Sequence, residues 1–136
     1  MQEDEGWGAG DLALYWRYVA TFREAASRSE RLWREASEVP IAAFLADQTS
    51  PSATPSEAVW ETVMLLIETA PDDDALCWLG AGPVEDLAVH HGNAFIDQFV
   101  LAGRRDPRFR AALRCAWLDG ASKQVRVALE SLRSDR

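Results

Sequence analysis

Positive charge is what this chain most conspicuously lacks. Between Arg34 and Arg104 its 136 residues include no lysine or arginine, and Lys123 is the only lysine anywhere. Residues 35–103 nevertheless carry twelve carboxylates, so that stretch has a charge of −12 out of a whole-chain −8, while residues 104–136 stand at +5. A chain this acidic is a poor non-specific ligand for phosphate backbones, which disfavours nucleic acid as its partner. Long apolar runs are also missing: stretches such as Val63–Ile67 end far short of a membrane span. The opening MQEDEGWGAG has no apolar core of a secretory signal, so a cytoplasmic protein is expected. The two cysteines, Cys77 and Cys115, lie in no CxxC or other ligand spacing and sit among apolar neighbours. They are expected to be buried, reduced thiols. Histidine is confined to His90 and His91, and no GxSxG, P-loop, HExxH, EF-hand or dinucleotide fingerprint is present.

Period-two alternation is absent too, and what remains is helical nearly throughout. Leu12, Tyr15, Trp16, Val19 and Phe22 make one face of a first helix behind Asp11, a suitable cap; it could continue through Leu32, Trp33 and Ala36. Pro40 suits the first turn of a short helix through Ile41, Phe44 and Leu45. QTSPSATPS, residues 48–56, reads as the one exposed loop. Thr54-Pro55-Ser56-Glu57 then resembles a capping box, opening a helix that is apolar over most of its girth and hence central. Asp72, Ser122 and the pair Asp106-Pro107 mark further starts. A stripe of Phe109, Leu113 and Trp117 predicts a buried face that includes that tryptophan. The expectation is an all-α single domain over residues 1–136, an irregular orthogonal bundle of about seven short helices with a disordered tail at 1–10. Stacked helix pairs would be an alternative architecture, but no internal repeat supports it.

The segment LGAGPVEDLAVHHGN, Leu79 to Asn93, gathers the groups that could do chemistry. With Gly82 at a cap and Pro83 at the first helical position, Glu85 and Asp86 fall where unsatisfied N–H groups favour negative charge. His90 and His91 fall in the last turn, Gly92 would supply a left-handed stop, and Asn93 would cap another helix. Asp86 and His90, four apart, can pair on the outer face. Every residue thus has a structural use. The same residues, Glu85, Asp86, His90 and His91, are also the catalytic candidates of a small acid–base or metal-dependent hydrolase. Metal catalysis ordinarily needs three protein ligands, so neither a metal nor another cofactor is expected. Arg104, Arg105, Arg108, Arg110 and Arg114 make a basic cluster whose expected use is pairing with carboxylates, the chain's own or a partner's.

LGAGPVEDL followed by DPRFRAALRCAW resembles a bacterial family of small helical proteins classed as a domain of unknown function. The likeness runs over residues 55 to 120, on Gly82, Pro83, Val84, Glu85, Asp86 and Leu87, then Asp106, Pro107, Phe109, Arg110 and Trp117. It implies an all-helical cytosolic protein and carries no activity, substrate or cofactor with it.

The charge pattern points instead to binding. A strongly negative face without competing cations steers toward basic partners. The expected function is a non-enzymatic acidic module, of the inhibitor or antidote kind, that covers a basic surface of another protein. Asp72, Asp73, Asp74, Glu85 and Asp86 are its expected contacts, with exposed tryptophans as anchors. A structural subunit of a larger assembly is a further alternative.

Overall fold

A computed structural model describes residues 6–24 and 39–133. Among them the chain forms α1 (Ala9–Glu24), α2 (Pro40–Gln48), α3 (Glu57–Thr69), α4 (Asp73–Leu79), a π-helical turn (Gly80–Val84), α5 (Glu85–Arg105), α6 (Pro107–Leu113) and α7 (Lys123–Arg133). The fold is all-α, as expected, and the described residues include no strand. The expected continuation of the first helix through Leu32, Trp33 and Ala36 lies outside the described residues, as does the side chain of Phe22.

The central helix is α3. Val59, Thr62, Val63, Leu66 and Ile67 are buried on it, and only Glu57, Ala58, Glu61, Glu68 and Thr69 face solvent. Two tryptophans of the N-terminal segment dock on it. Trp7 donates its indole N–H to Thr62 Oγ1 at 2.9 Å, and Trp16 donates to Thr69 Oγ1 at 3.4 Å. Each threonine hydroxyl in turn donates back to its own helix, to the carbonyls of Ala58 and Leu65. Buried indole N–H groups need a partner, and here the partner is itself satisfied. Of the tail expected at 1–10, residues 6–10 are therefore part of the structure: Trp7 also stacks edge-on against Phe44, and the helix starts at Ala9. Asp11, expected as the cap, sits in the first turn and accepts from the Gly8 N–H at 3.3 Å. On the other side of α3, Trp60 packs against Phe95, Phe99 and Phe109 with ring centroids 5.3–6.3 Å apart, uniting α3, α5 and α6.

Several helix starts fall as expected. Asp72 accepts the Ala75 N–H at 2.8 Å, Asp106 the Arg108 N–H at 2.9 Å, and Ser122 Oγ the Val125 N–H at 3.3 Å. The expected Thr54 box does not form. Ser56 is the cap residue of α3, and Gln48 Oε1 instead accepts from its N–H at 2.9 Å. The expected exposed loop is anchored at its start, where Thr49 is buried with its hydroxyl on the Leu45 carbonyl.

The largest departure is at LGAGPV. No cap forms at Gly82. The chain runs from α4 into α5 through the π turn, whose signature is the Glu85 N–H bonding the Gly80 carbonyl five residues back. Pro83 has no N–H to give to a regular ladder, and a widened turn absorbs that gap without stopping the helix. Gly80 is pressed against α6: a Cβ there would land on the Ala112 carbonyl oxygen. Gly92 likewise is not a left-handed stop, since Gly6 alone among the described residues has positive φ. The helix bends at His91 (φ −140°, ψ 21°) and continues, so Asn93 is internal and accepts from Ser122 Oγ. Gly92 is small because α7 lies on it; a Cβ would stand 2.8 Å from Val125 Cγ2. Gly103 repeats the device against Leu132. The two contacts progress in the same sense along both chains, so α7 runs parallel to α5 in a groove that these glycines open.

Candidate functional site

The segment linking α6 to α7 decides how the expected contact residues sit. Ala75, Leu76 and Leu79 are the buried side of α4, which turns Cys77 outward to solvent. Cys115 follows α6 half-buried, and the two form a disulfide with Cα atoms 5.3 Å apart. The expectation of buried, reduced thiols is thus overturned. Their apolar neighbours face the core, whereas the cysteines point the other way. Two residues on, the Trp117 N–H donates to Glu85 Oε1 at 2.7 Å. Trp117, expected in the core, is 69% exposed. The helix carrying Phe109 and Leu113 ends at Leu113, so the helical spacing does not reach it.

This strap spans the acidic residues. Asp73 precedes Cys77 by four positions and lies on the same side of α4, while Glu85 holds the strap's other end. Asp72, Asp73 and Asp74 are exposed in the first turn of α4, with Asp72 as its cap. Asp86 is roughly 18 Å farther along the helical run at 1.5 Å per residue. The five expected contacts therefore form two groups joined by Cys115–Trp117, and Glu85 is engaged by the strap and half-buried.

Asp86 faces a second feature, a groove of about 680 Å³ between α1, α2 and the π turn. Tyr15, Tyr18, Asp47, Trp78, Pro83 and Asp86 line it, together with small residues of α2. Partial burial against this groove pushes the Asp86 carboxyl above its ordinary range. Glu85's charge adds to the rise and His90 opposes it. The helix dipole gives no relief, because the π turn occupies the N–H groups that a free helix start would offer. Burial also pushes the Tyr15 phenol up, against a hydrogen bond from Trp78. Tyr15, Tyr18 and Trp78 were not singled out from the sequence as site residues. Tyr15 falls on the apolar face of the first helix, Tyr18 lies outside that face, and only the packing of α1, α2 and α4 reveals the groove.

The hydrolase candidates do not converge. His91 Nε2–H donates to the Ser50 carbonyl at 2.7 Å, tying α5 to the loop after α2. With Glu85 on the strap, only Asp86 and His90 remain as a neighbouring acid–base pair. Among the described residues no three His, Cys, Asp or Glu gather as a metal site.

Within the basic cluster, Arg108 and Arg110 turn to backbone carbonyls. Arg108 donates to the carbonyls of Ile67 and Ala70 at 2.9 and 2.8 Å, closing the C-terminus of α3. Arg110 donates to the Gly103 carbonyl at 2.8 Å at the end of α5, and Arg133 to the Arg114 carbonyl at 3.2 Å. Guanidinium groups suit these unsatisfied, partly negative helix ends. No helix among the described residues is long and apolar enough to cross a membrane.

A family model described as a family of unknown function (DUF6869) matches residues 36–136. No curated protein and no solved structure matches the chain.

Proposed function

Since the chain belongs to this family of unknown function, its role has to be read from its own surface, and we propose that it is a non-enzymatic protein-binding module of the inhibitor or antidote kind. Its partner is another protein with a basic surface. One observation carries the reading: the disulfide and the Glu85 bond hold Trp117, 69% exposed, on a strap between two groups of carboxylates. An exposed aromatic on a strap anchored at both ends beside carboxylates is the composition of an interface anchor with a steering rim. The direction of the arginines supports it, because Arg108, Arg110 and Arg133 turn donors toward backbone carbonyls.

The test compares wild type with Asp73→Arg and Trp117→Ala, both exposed positions, as immobilised baits for cell extract. A partner captured by wild type is then purified and its binding kinetics measured. Trp117→Ala should weaken the complex by about 2 kcal/mol or more, mainly through faster dissociation. Asp73→Arg should slow association at low salt, with the difference shrinking as salt is added. Retention of the same partner by both variants with unchanged kinetics overturns the proposal.

A further inference from the structure

The groove between α1, α2 and the π turn has chemistry of its own, separate from the Trp117 strap. Its aromatic wall is formed by the half-buried Tyr18 of α1 and Trp78 of α4, with the buried Tyr15 contributing little surface. The hydrogen bond between Trp78 and the buried Tyr15 oxygen holds indole and phenol in place. Its charged groups, among the described residues, are Asp47 of α2 and Asp86 of α5, with no lysine or arginine. Its hydroxyls are engaged internally: Thr49 donates to the Leu45 carbonyl at 2.7 Å and Ser50 to the Asp47 carbonyl at 3.2 Å. The Ser50 carbonyl already accepts from His91. An anion would meet two carboxylates here, and a neutral acceptor would find the Thr49 and Ser50 hydroxyl hydrogens already given.

We propose that this groove binds a small organic ammonium ion, a methylated amine or a comparable cation with an apolar body. The faces of indole and phenol rings attract such a cation, most strongly when it is desolvated. Asp47 and Asp86 supply the opposing charge, while Ala42, Ala43 and Pro83 offer the apolar contact that methyl groups need. A volume of about 680 Å³ is that of a small-molecule site. The proposal does not rest on the protein-binding reading: Asp86 is common to both, but Asp47 and Trp78 serve the groove alone, and Trp117 serves the strap.

The experiment titrates the full chain with choline and, in parallel, with its uncharged carbon isostere, following indole and backbone amide resonances. Choline should bind saturably and shift resonances of Tyr15, Tyr18 and Trp78, and the isostere should bind about tenfold more weakly. Trp78→Leu should abolish binding. Because Trp78 also supports Tyr15, the exposed Asp47→Asn, checked for intact folding by circular dichroism, carries the decision with a several-fold weaker affinity. Trp117→Ala should bind choline as wild type does. No saturable shift, equal binding of the isostere, shifts confined to another surface, or binding seen only with a lysine-bearing peptide each overturn the proposal.

Discussion

Asp86 shows how a residue's neighbours can reverse the effect that its position alone would give. Near the start of a free helix its negative charge would be favoured; after a π turn, beside Glu85 and against the groove wall, its carboxyl is instead raised above the ordinary 3.8. A carboxyl raised on folding holds its proton more tightly in the folded chain. Its contribution favours folding at low pH and is lost as pH climbs from 3.8 through the higher folded value. Asp86→Asn removes that loss. The variant should melt higher than wild type at pH near 7 and level with it near pH 3, in paired thermal scans at about equal ionic strength. Exposure of the side chain keeps the gain small. A lower melting temperature at neutral pH would mean that His90 or the groove stabilises the charged form.

At the scale of elements, the glycines divide into those that packing demands and those it does not. Gly80 sits where α4 meets α6, and Gly82 two residues later has open space around its Cβ position. Neither has positive φ. Gly82→Ala should therefore be neutral or stabilise by up to about 1 kcal/mol through helix propensity. Gly80→Ala sets a methyl into a backbone carbonyl that cannot rotate away, and should destabilise by about 3 kcal/mol, at the upper end for overpacking. Urea unfolding of the two variants measures the contrast, and equal midpoints would refute the close approach of α4 to α6. The same division explains what the sequence could reveal. Helix positions follow from local rules, so the proline and aspartate starts at Pro40, Asp72 and Asp106, the Ser122 start of α7 and the central place of α3 are legible. Gly80, Gly92 and Gly103 are small because of residues 32, 33 and 29 positions away, and the stop at Gly92 was misread for that reason. Trp117 was misread because a helical stripe was carried past the end of its helix. Of the site, the acidic residues were legible as charge, but the strap that joins them and the groove walled by Tyr15, Tyr18 and Trp78 arise only from tertiary packing.

For the molecule as a whole, the disulfide is the single covalent tie across the fold among the described residues, and it closes a loop of 38 residues holding the π turn and the whole of α5. Closing a loop of that length restricts the unfolded chain by about 4 kcal/mol on the chain-entropy account. Against a total stability of about 5–15 kcal/mol for a domain this size, that share is large. Reduction, or the double substitution Cys77→Ser with Cys115→Ser, should lower the unfolding free energy by about 3–4 kcal/mol while leaving the helical circular dichroism in place. Alkylation of the native protein without reductant should label neither sulfur, since both are bonded. The buried packing at Gly80, Gly92 and Gly103 survives reduction, because it depends on van der Waals contact and not on the bridge. The strap has partial support of that kind, since Ala116 and Leu118 on either side of Trp117 are buried and the Cys115 and Ala116 N–H groups bond the Ala112 and Leu113 carbonyls. Freed from Cys77, it keeps the Glu85 bond and this packing but loses its covalent tie to α4, so the presentation of Trp117 should loosen before the bundle loses its fold. Partner capture through Trp117 should therefore fall on reduction at temperatures where the helices remain intact. Capture that persists undiminished in the reduced, folded protein would separate the strap from binding and leave the disulfide a purely stabilising role.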